Sequence, residues 1–245
     1  MENEIISKVY LIPCFIDEKA VHTIPAYIAD AIKDCRVFFV ENERTARRYL
    51  KQLWKFHLAG QEIIIDNYEW FAIHKAEGEV QSAFKQKIKE GKNIGIISEA
   101  GCPGVADPGQ LLVSIAHEMN VEIKPLVGPS SILLALMASG MNGQQFQFVG
   151  YLPIDAGERI KAIKELEADS RKKNCTQLFI ETPYRNNQLI EILTKTCNTS
   201  TQLCVAADIT GENEWIKTKT IGEWKKEKVD IHKRPAIFLL YSGGR

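Results

Sequence analysis

The sequence predicts an α/β protein made of two domains, the first with a mostly parallel five-stranded sheet and the second with a mixed sheet. In the first half, short apolar runs alternate with amphipathic runs, which is typical of parallel strands covered by helices on both faces. In the second half, Glu214–Ile221 alternates with a period of two residues, which indicates an antiparallel or mixed sheet. A break near 124–128 separates a domain of residues 1–124 from one of residues 125–245.

The first domain is expected to contain five strands joined by four helices. The predicted strands are Val9–Ile12, Arg36–Val40, Glu62–Ile65, Asn93–Ile97 and Val121–Lys124. The predicted helices are Ile24–Ile32, Thr45–Trp54, Glu79–Lys89 and Asp107–Asn120. The last helix should begin with Asp107 as its cap, because the carboxylate accepts hydrogen bonds from the free N–H groups of the first turn. Pro108 should occupy the first helical position, because proline has no backbone N–H that would lack a partner there.

The second domain is expected to contain five further strands and three helices. The predicted strands are Phe146–Val149, Thr176–Ile180, Gln202–Ala206, Glu214–Ile221 and Ala236–Leu240. The predicted helices are Ser130–Ser139, Glu158–Ala168 and Asn187–Lys195. The first of these helices is so apolar that it should be buried.

The composition is that of a globular protein, with lysine plus arginine and aspartate plus glutamate both at 31 of 245 residues. The zero net charge gives no global argument for a nucleic-acid partner, so any such argument needs a local basic patch. No apolar run approaches the ~20 residues of a membrane span, and Met1–Glu4 is unlike a signal peptide. The six cysteines are scattered without a CxxC pair, which indicates buried, reduced thiols and a cytoplasmic location.

The segment Ser98–Gly109, which reads SEAGCPGVADPG, is the most informative motif in the chain. It joins a predicted strand to a predicted helix, and open α/β sheets bind ligands at such carboxyl ends of strands. Its glycines allow a ligand to approach the backbone, while its two prolines restrict the path of the chain. The motif therefore predicts a ligand-facing loop, although a purely structural connection is an equally simple interpretation.

Four other polar motifs also follow predicted strands. They are Glu41–Arg44 (ENER), Val127–Ser131 (VGPSS), Phe148–Pro153 (FVGYLP) and Glu181–Arg185 (ETPYR). Each has a structural alternative, such as a helix cap for VGPSS or an ion pair between the Glu and Arg of ETPYR. Parallel strands would bring the motifs of each domain to one edge of its sheet.

Other common site chemistries are missing from the sequence. It contains no GxxxxGK[ST], GxSxG or HExxH motif, and no GxGxxG follows the first strand. The five histidines are isolated from one another, so the sequence predicts no metal site.

Together, SEAGCPGVADPG, VGPSSILLALMASG, FVGYLP and ETPYR resemble the tetrapyrrole methylase superfamily of S-adenosylmethionine-dependent methyltransferases. They are most similar to the branch that methylates a cytidine ribose 2′-hydroxyl of small-subunit ribosomal RNA, in which the loop typically reads SDAGTPGISDPG. The resemblance implies two α/β domains with S-adenosylmethionine in the cleft between them, and a homodimer. The implied cofactor-binding residues are Pro13, Ser98, Ala100, Gly101, Cys102, Gly128, Ser130, Ser131, Tyr151 and Leu152.

The sequence departs from that branch in two segments, and the differences bear on the expected substrate. The segment after strand one keeps Pro13 but lacks the Gly-Asn pair of ATPIGNL. The branch's RELTK-x-HE segment corresponds to 207–214 here, and its Arg, Lys and His become Ala207, Gly211 and Asn213. Loss of basic side chains removes expected phosphate contacts.

Four residues are the candidate catalytic groups for an in-line methyl transfer. A ribose hydroxyl is a poor nucleophile that benefits from a base, for which Glu181 and Asp208 are the candidates. Arg44 and Arg185 are expected to orient a phosphate or carboxylate.

Three functions are compatible with these features. The first is a ribosomal RNA ribose methyltransferase, favoured by basic clusters at 44–51 and 171–173. The second is a methyltransferase acting on a small molecule such as a corrin or porphyrin precursor, although the GxGPG loop usual in those enzymes is absent. The third is a non-catalytic protein that binds S-adenosylmethionine.

Overall fold

The computed structural model describes residues 7–61, 63–73 and 77–244. The chain divides into two compact units, Met1–Ser130 and Ser131–Arg245. Each unit contains one five-stranded sheet, parallel in the first and mixed in the second, which confirms the predicted fold class.

The first unit alternates strands and helices along the chain. Its elements are β1 (Lys8–Ile12), α1 (Tyr27–Lys33), β2 (Val37–Val40), α2 (Glu43–His57), β3 (Glu69–Ala72), α3 (Glu77–Lys89), β4 (Ile94–Ile97), α4 (Gly109–Glu118) and β5 (Glu122–Pro125). The strand order is β3-β2-β4-β1-β5, with every pair parallel. All residues of β2 and β4 are buried, as expected for strands covered on both faces. The loops that follow β1, β4 and β5 therefore leave the same edge of the sheet side by side.

The predicted strand at Glu62–Ile65 is wrong, because the third strand of this unit is Glu69–Ala72. Glu62 lies outside the described residues, and Ile65 begins a 3₁₀ turn that ends at Asn67. The strand forms further along because its aromatic side chains pair with those of β2: Trp70 stacks on Phe38 at 5.1 Å and Phe71 on Phe39 at 4.8 Å between ring centroids.

Several helix starts differ from the prediction by two or three residues, and two of them, those of α1 and α4, have a local cause. Helix α1 begins at Tyr27 instead of Ile24, because Ile24 precedes Pro25 and is held in an extended conformation. Helix α4 begins at Gly109, so Pro108 occupies the cap position. The expected capping bond nevertheless forms, since Asp107 Oδ1 accepts the Gly109 N–H at 2.7 Å.

The second unit places helices around a mixed sheet. Its elements are α5 (Ser131–Ser139), β6 (Phe146–Tyr151), α6 (Ala156–Lys173), β7 (Thr176–Ile180), α7 (Asn186–Thr196), β8 (Gln202–Ala207), β9 (Trp215–Thr220), α8 (Ile221–Trp224) and β10 (Ala236–Tyr241). The strand order is β6-β7-β10-β8-β9, in which β6 and β7 are parallel and the other pairs antiparallel. Because β10 runs opposite to both β7 and β8, strands β6, β7 and β8 end at one edge of the sheet.

Helix α5 is not fully buried, contrary to the prediction. Ala135, Leu136 and Ser139 are buried, whereas Leu133 is 51% exposed and Met137 is 78% exposed. The helix is apolar around its whole circumference, so packing one face within this unit leaves other apolar side chains in contact with solvent.

Five of the six cysteines are buried and Cys102 is half-buried, as the apolar runs around them predict. Burial raises the pKa of the Cys14 thiol to about 12. Within the described ranges, no helix is long and apolar enough to cross a membrane.

Candidate functional site

The loops after β1 and β4 are joined by a pair of backbone hydrogen bonds. The Cys14 N–H donates to the Gly101 carbonyl at 2.8 Å, and the Gly101 N–H donates to the Cys14 carbonyl at 3.1 Å. Gly101 has a φ of +73°, a left-handed conformation that glycine adopts without a steric penalty. The glycine of the SEAG motif thus fixes the position of this loop beside Pro13 and Cys14.

The loop after β5 packs against the same two loops. A Cβ atom added to Gly128 would lie 2.1 Å from Cβ and 2.4 Å from Cγ of Pro13, so only glycine fits at this contact. The Cys102 thiol lies 3.8 Å from the Gly128 carbonyl oxygen and 3.5 Å from that of Pro129. The structure therefore brings six of the residues predicted to bind the cofactor into one group in the first unit: Pro13, Ser98, Ala100, Gly101, Cys102 and Gly128.

Tyr49, on helix α2, supports this group and was not predicted from the sequence. Its hydroxyl donates to the Pro13 carbonyl at 2.5 Å, and its side chain is buried. Burial raises the pKa of Tyr49 well above its usual range, so the hydroxyl stays neutral and keeps its proton. The apolar face of α2 predicts a buried side chain at this position, but not a hydrogen bond to a strand-end loop.

Polar side chains from ENER and SEAG also meet at this edge. The Glu99 N–H donates to Glu41 Oε1 at 2.8 Å, and the Thr45 hydroxyl donates to the Glu99 carboxylate. Beside them lies a cavity of about 290 Å³, which is lined in part by Cys14, Phe15 and Ala100. The parallel sheet therefore brings these two motifs together, as the sequence predicts.

Asp107 and Ser98 stabilise the long loop internally. The two carboxylate oxygens of Asp107 each accept the Gly104 N–H at 2.9 Å. Burial raises the pKa of Asp107, and the hydrogen bonds from Gly104 and Gly109 partly oppose that effect. The Ser98 hydroxyl lies 3.3 Å from the Gly101 carbonyl oxygen, so it is directed toward the loop backbone.

In the second unit, three predicted motifs lie at one edge of the sheet. Tyr151 ends β6, Glu181 follows β7 and Asp208 follows β8. The strand register places Tyr151 opposite Ile180, and β10 pairs with both Ile180 and Ala207 at this end. Tyr151 is 62% exposed, whereas the adjacent Leu152 is buried.

Glu181 is the most buried of the candidate catalytic groups. Its Oε1 accepts hydrogen bonds from Nε of Arg185 at 3.0 Å, from Nη2 of the same arginine at 2.6 Å, and from the Thr182 N–H at 2.7 Å. Its Oε2 is buried and has no hydrogen-bonding partner among the described residues, although Arg159 Nη2 lies 3.8 Å away. The ion pair with Arg185 that ETPYR allows is therefore present, and within the described ranges the second carboxylate oxygen has no donor.

Arg159 is a buried residue that no motif in the sequence indicates. It donates through Nε to the Pro153 carbonyl at 2.7 Å and through Nη2 to the Ile154 carbonyl at 3.0 Å. With Glu181 beside it, this side chain connects the FVGYLP and ETPYR motifs. Its position near the start of α6 resembles that of any exposed helical arginine, so the sequence carries no signal for its burial.

Asp208 is also paired with an arginine. Arg234 Nε donates to Asp208 Oδ2 at 2.6 Å, and Nη2 donates to the Asn213 carbonyl at 2.7 Å. Asp208 has a φ of +50° and Thr210 a φ of +70°, conformations that non-glycine residues rarely adopt. Such backbone conformations cluster at functional sites.

The other predicted residues are divided between the two units. Arg44 is exposed in the first turn of α2, and Ser130 is the last residue of the first unit. Ser131 begins α5 in the second unit, which also holds Glu181, Arg185 and Asp208.

The two sheets, with polar glycine-containing loops at the carboxyl ends of their strands, define an α/β protein of the type that binds ligands at those ends. The sequence profile of the family "Tetrapyrrole (Corrin/Porphyrin) Methylases" matches residues 23–225. The chain belongs to this family, which confirms the resemblance of its motifs.

Individual proteins similar to this chain agree with that assignment. The "Ribosomal RNA small subunit methyltransferase I" of Escherichia coli O157:H7 is 30% identical over 178 residues, which are 71% of this chain and 61% of that protein. Among solved structures, the methyltransferase CobJ has a TM-score of 0.61 at 16% identity, with 96% of this chain and 93% of that chain covered. The uroporphyrin-III C-methyl transferase from Thermus thermophilus, complexed with S-adenyl homocysteine, has a TM-score of 0.56 at 14% identity, with 96% and 97% covered. The CobJ and uroporphyrin-III C-methyl transferase structures share the fold of this chain. The chain spans about three fifths of the length of its E. coli relative.

Proposed function

We propose that this chain is an S-adenosylmethionine-dependent methyltransferase that methylates a ribose 2′-hydroxyl of ribosomal RNA. The observation that carries this proposal is the joining of the loops after β1, β4 and β5 by the Cys14–Gly101 hydrogen bonds and the Gly128–Pro13 contact. These loops contain the motif residues that the family resemblance assigns to the cofactor. The names of similar proteins support the choice of acceptor, since several are called "Ribosomal RNA small subunit methyltransferase I".

The residues at this edge of the first unit fit such a cofactor. S-adenosylmethionine, when bound, supplies a methyl group on a positively charged sulfur. The backbone carbonyl of Ala100 and the carboxylate of Glu99 lie at the cavity and are oxygen atoms suited to a positive group. Phe15 and Tyr49 supply aromatic surface beside them, with the two ring centroids 5.2 Å apart. A Cβ added to Gly104 would meet nothing within 4 Å in the part of the chain that the structure describes, so the middle of the loop has open space beside it there.

The first unit also carries a basic surface suited to RNA phosphates. Arg44, Arg47, Arg48 and Lys51 line a shallow depression on helix α2. Arg47 forms ion pairs with Glu43 and Asp66, and Arg48 pairs with Glu18, so part of this charge is neutralised. In the second unit, Arg185 remains the candidate for orienting a phosphate near the acceptor hydroxyl.

The proton released by the acceptor hydroxyl requires a base. With the methyl donor bound, the acceptor hydroxyl would receive the methyl group, and a carboxylate of this chain would take the hydroxyl proton. Glu181 Oε2 is the favoured acceptor because it has no hydrogen-bond donor among the described residues. Asp208 is the second candidate, with its Oδ2 already bonded to Arg234. Alignment of the hydroxyl with the methyl group contributes most of the rate enhancement.

The acceptor can be identified by following a labelled methyl group. The full chain is incubated with methyl-labelled S-adenosylmethionine and either undermethylated small ribosomal subunits or precursor tetrapyrroles. Label in RNA supports the proposal, label in a tetrapyrrole supports the small-molecule alternative, and bound cofactor without transfer supports the non-catalytic one.

We also propose that the chain acts as a homodimer in the cytoplasm. Met137 on α5 is 78% exposed and is an apolar side chain of the kind that a second subunit covers. Light scattering coupled to size-exclusion chromatography measures the mass in solution. A dimer would give twice the chain mass of 27.7 kDa, and a monomer would give the chain mass itself.

A further inference from the structure

Next to Glu181 and Arg185, the second unit exposes an aromatic side chain flanked by two basic ones. Tyr184 is 70% exposed although it is a large aromatic residue. Lys233 Nζ lies over its ring, 5.9 Å from the centroid, and the His232 ring meets it at 6.0 Å and 73° between planes. We call Tyr184, His232 and Lys233 the Tyr184 surface.

The backbone holds this surface in place. The Lys233 N–H donates to the Pro183 carbonyl at 3.0 Å, which joins the loop before β10 to the residue preceding Tyr184. The fully buried Asn186 donates through Nδ2 to the Arg234 carbonyl at 2.6 Å. Lys233 has a φ of +63°, a strained conformation for lysine that these contacts maintain. The backbone that carries Tyr184 and Lys233 is therefore held in place before any ligand binds.

Two carboxylates near this surface already accept hydrogen bonds from neighbouring residues. Glu181 is bonded to Arg185. Asp230 accepts Asn187 Nδ2 at 2.9 Å and the His232 N–H at 3.0 Å. Among the described residues of this surface, Tyr184 offers an exposed aromatic ring and Lys233 an exposed ammonium group, a combination suited to an anionic ligand with flat rings.

We propose that Tyr184 stacks on an unpaired base of the RNA substrate while Lys233 contacts a neighbouring phosphate. This inference rests on the proposed RNA methyltransferase function and adds the residues that hold the substrate strand. Sequence-specific and single-stranded RNA recognition commonly uses bases stacked on tyrosine, and phosphate contacts from lysine fix the register of the strand. Tyr184 lies three residues after Glu181 in the chain. A nucleobase stacked on Tyr184 would therefore place the RNA at the sheet edge where Glu181, the candidate general base, lies.

The test compares Tyr184→Ala and Tyr184→Phe in the full chain. Binding of a fluorescent single-stranded RNA oligonucleotide is measured by anisotropy, together with KM and kcat on undermethylated small subunits. We expect Tyr184→Ala to weaken RNA binding and raise KM about 5- to 100-fold, with Tyr184→Phe within about twofold of the wild type, because the ring alone supplies the stacking. Affinity for S-adenosylmethionine and the unfolding midpoint should stay unchanged in both variants.

Lys233→Gln, with the exposed Lys228→Gln as its matched control, tests the phosphate contact. Lys233→Gln should weaken binding and lower the slope of log affinity against log salt by about one, whereas Lys228→Gln should change neither. Wild-type RNA affinity in a folded Tyr184→Ala variant would overturn the stacking role. If the wild type binds the oligonucleotide through Tyr184 but transfers no methyl group to RNA, the proposed function fails while the stacking surface stands. If the wild type does not bind RNA, both fail.

Discussion

Replacing Gly128 with alanine perturbs the contact that joins the loops after β1 and β5. The added Cβ would lie 2.1 Å from Cβ of Pro13. Since two carbon atoms in contact lie about 3.5 Å apart, Pro13 and Gly128 would have to separate by about 1.4 Å. Pro13 has little freedom to move, because its carbonyl accepts the Tyr49 hydroxyl and its neighbour Cys14 is bonded to Gly101.

The expected cost follows from this geometry. Overpacking of a well-packed site costs typically about 1–3 kcal/mol, which should lower the free energy of unfolding by that amount. The same separation displaces the proposed cofactor loops, and a change of about 1 Å in the placement of reacting groups can reduce catalysis by about 10²-fold. We therefore expect affinity for S-adenosylmethionine to fall at least about tenfold, which corresponds to about 1.4 kcal/mol.

Urea denaturation and titration calorimetry measure the two effects. Gly78→Ala is a matched control, because Gly78 lies in helix α3 of the same unit and a Cβ there would meet no atom of the described residues within 4 Å. That variant should be neutral or slightly more stable than the wild type, since alanine favours helix. A Gly128→Ala variant with the stability and cofactor affinity of the wild type would refute the idea that close packing of these loops builds the site.

Three other predictions concern single side chains. Arg159→Ala should lower the free energy of unfolding by about 3–5 kcal/mol in urea denaturation, because it breaks a buried ion pair with Glu181 and leaves two carbonyls without donors; a loss below about 1 kcal/mol would contradict that reasoning. Glu181→Gln should reduce kcat on RNA by about 10²-fold or more if Glu181 is the general base, and Asp208→Asn should have that effect if Asp208 is the base. Full turnover in both variants would exclude both residues as the general base. The Cys14 thiol ionises near its ordinary pKa of 9.0 when unfolded and at about 12 when folded, so the folded state holds the extra proton between these values. The free energy of unfolding should therefore fall by about 1.4 kcal/mol per pH unit above pH 9 from this group, and Cys14→Ala should make the measured slope shallower by that amount.

The sequence predicts the strands well where apolar runs are fully buried. β2, β4 and β7 lie within one residue of their predicted positions, and all residues of β2 and β4 and the first four of β7 are buried. β3 was misplaced because the run at Ile63–Ile65 is more apolar than Glu69–Ala72, while the actual pairing depends on aromatic contacts with β2 that no local pattern contains. The exposure of α5 was missed for a related reason, since an apolar sequence does not show how much of its surface finds a partner.

The candidate site was predictable to the level of its motifs. Glycine positions and strand-end placement indicated which loops meet, and the structure brings the loops of the first unit together at Pro13, Gly101 and Gly128. The roles of Tyr49 and Arg159 were not predictable, because each depends on a hydrogen bond to a backbone carbonyl distant along the chain or across a turn. Periodicity predicts burial of a side chain but not the polar partner that it finds.

The most direct test of the central proposal identifies the atom that receives the methyl group. RNA from undermethylated small subunits, treated with the full chain and labelled S-adenosylmethionine, is digested to nucleosides and analysed by mass spectrometry. The proposal predicts labelled 2′-O-methylcytidine, which should be strongly reduced with Gly128→Ala and unaffected by Gly78→Ala. Label on a base instead of the ribose, or no label in RNA beside efficient labelling of a tetrapyrrole, would contradict it.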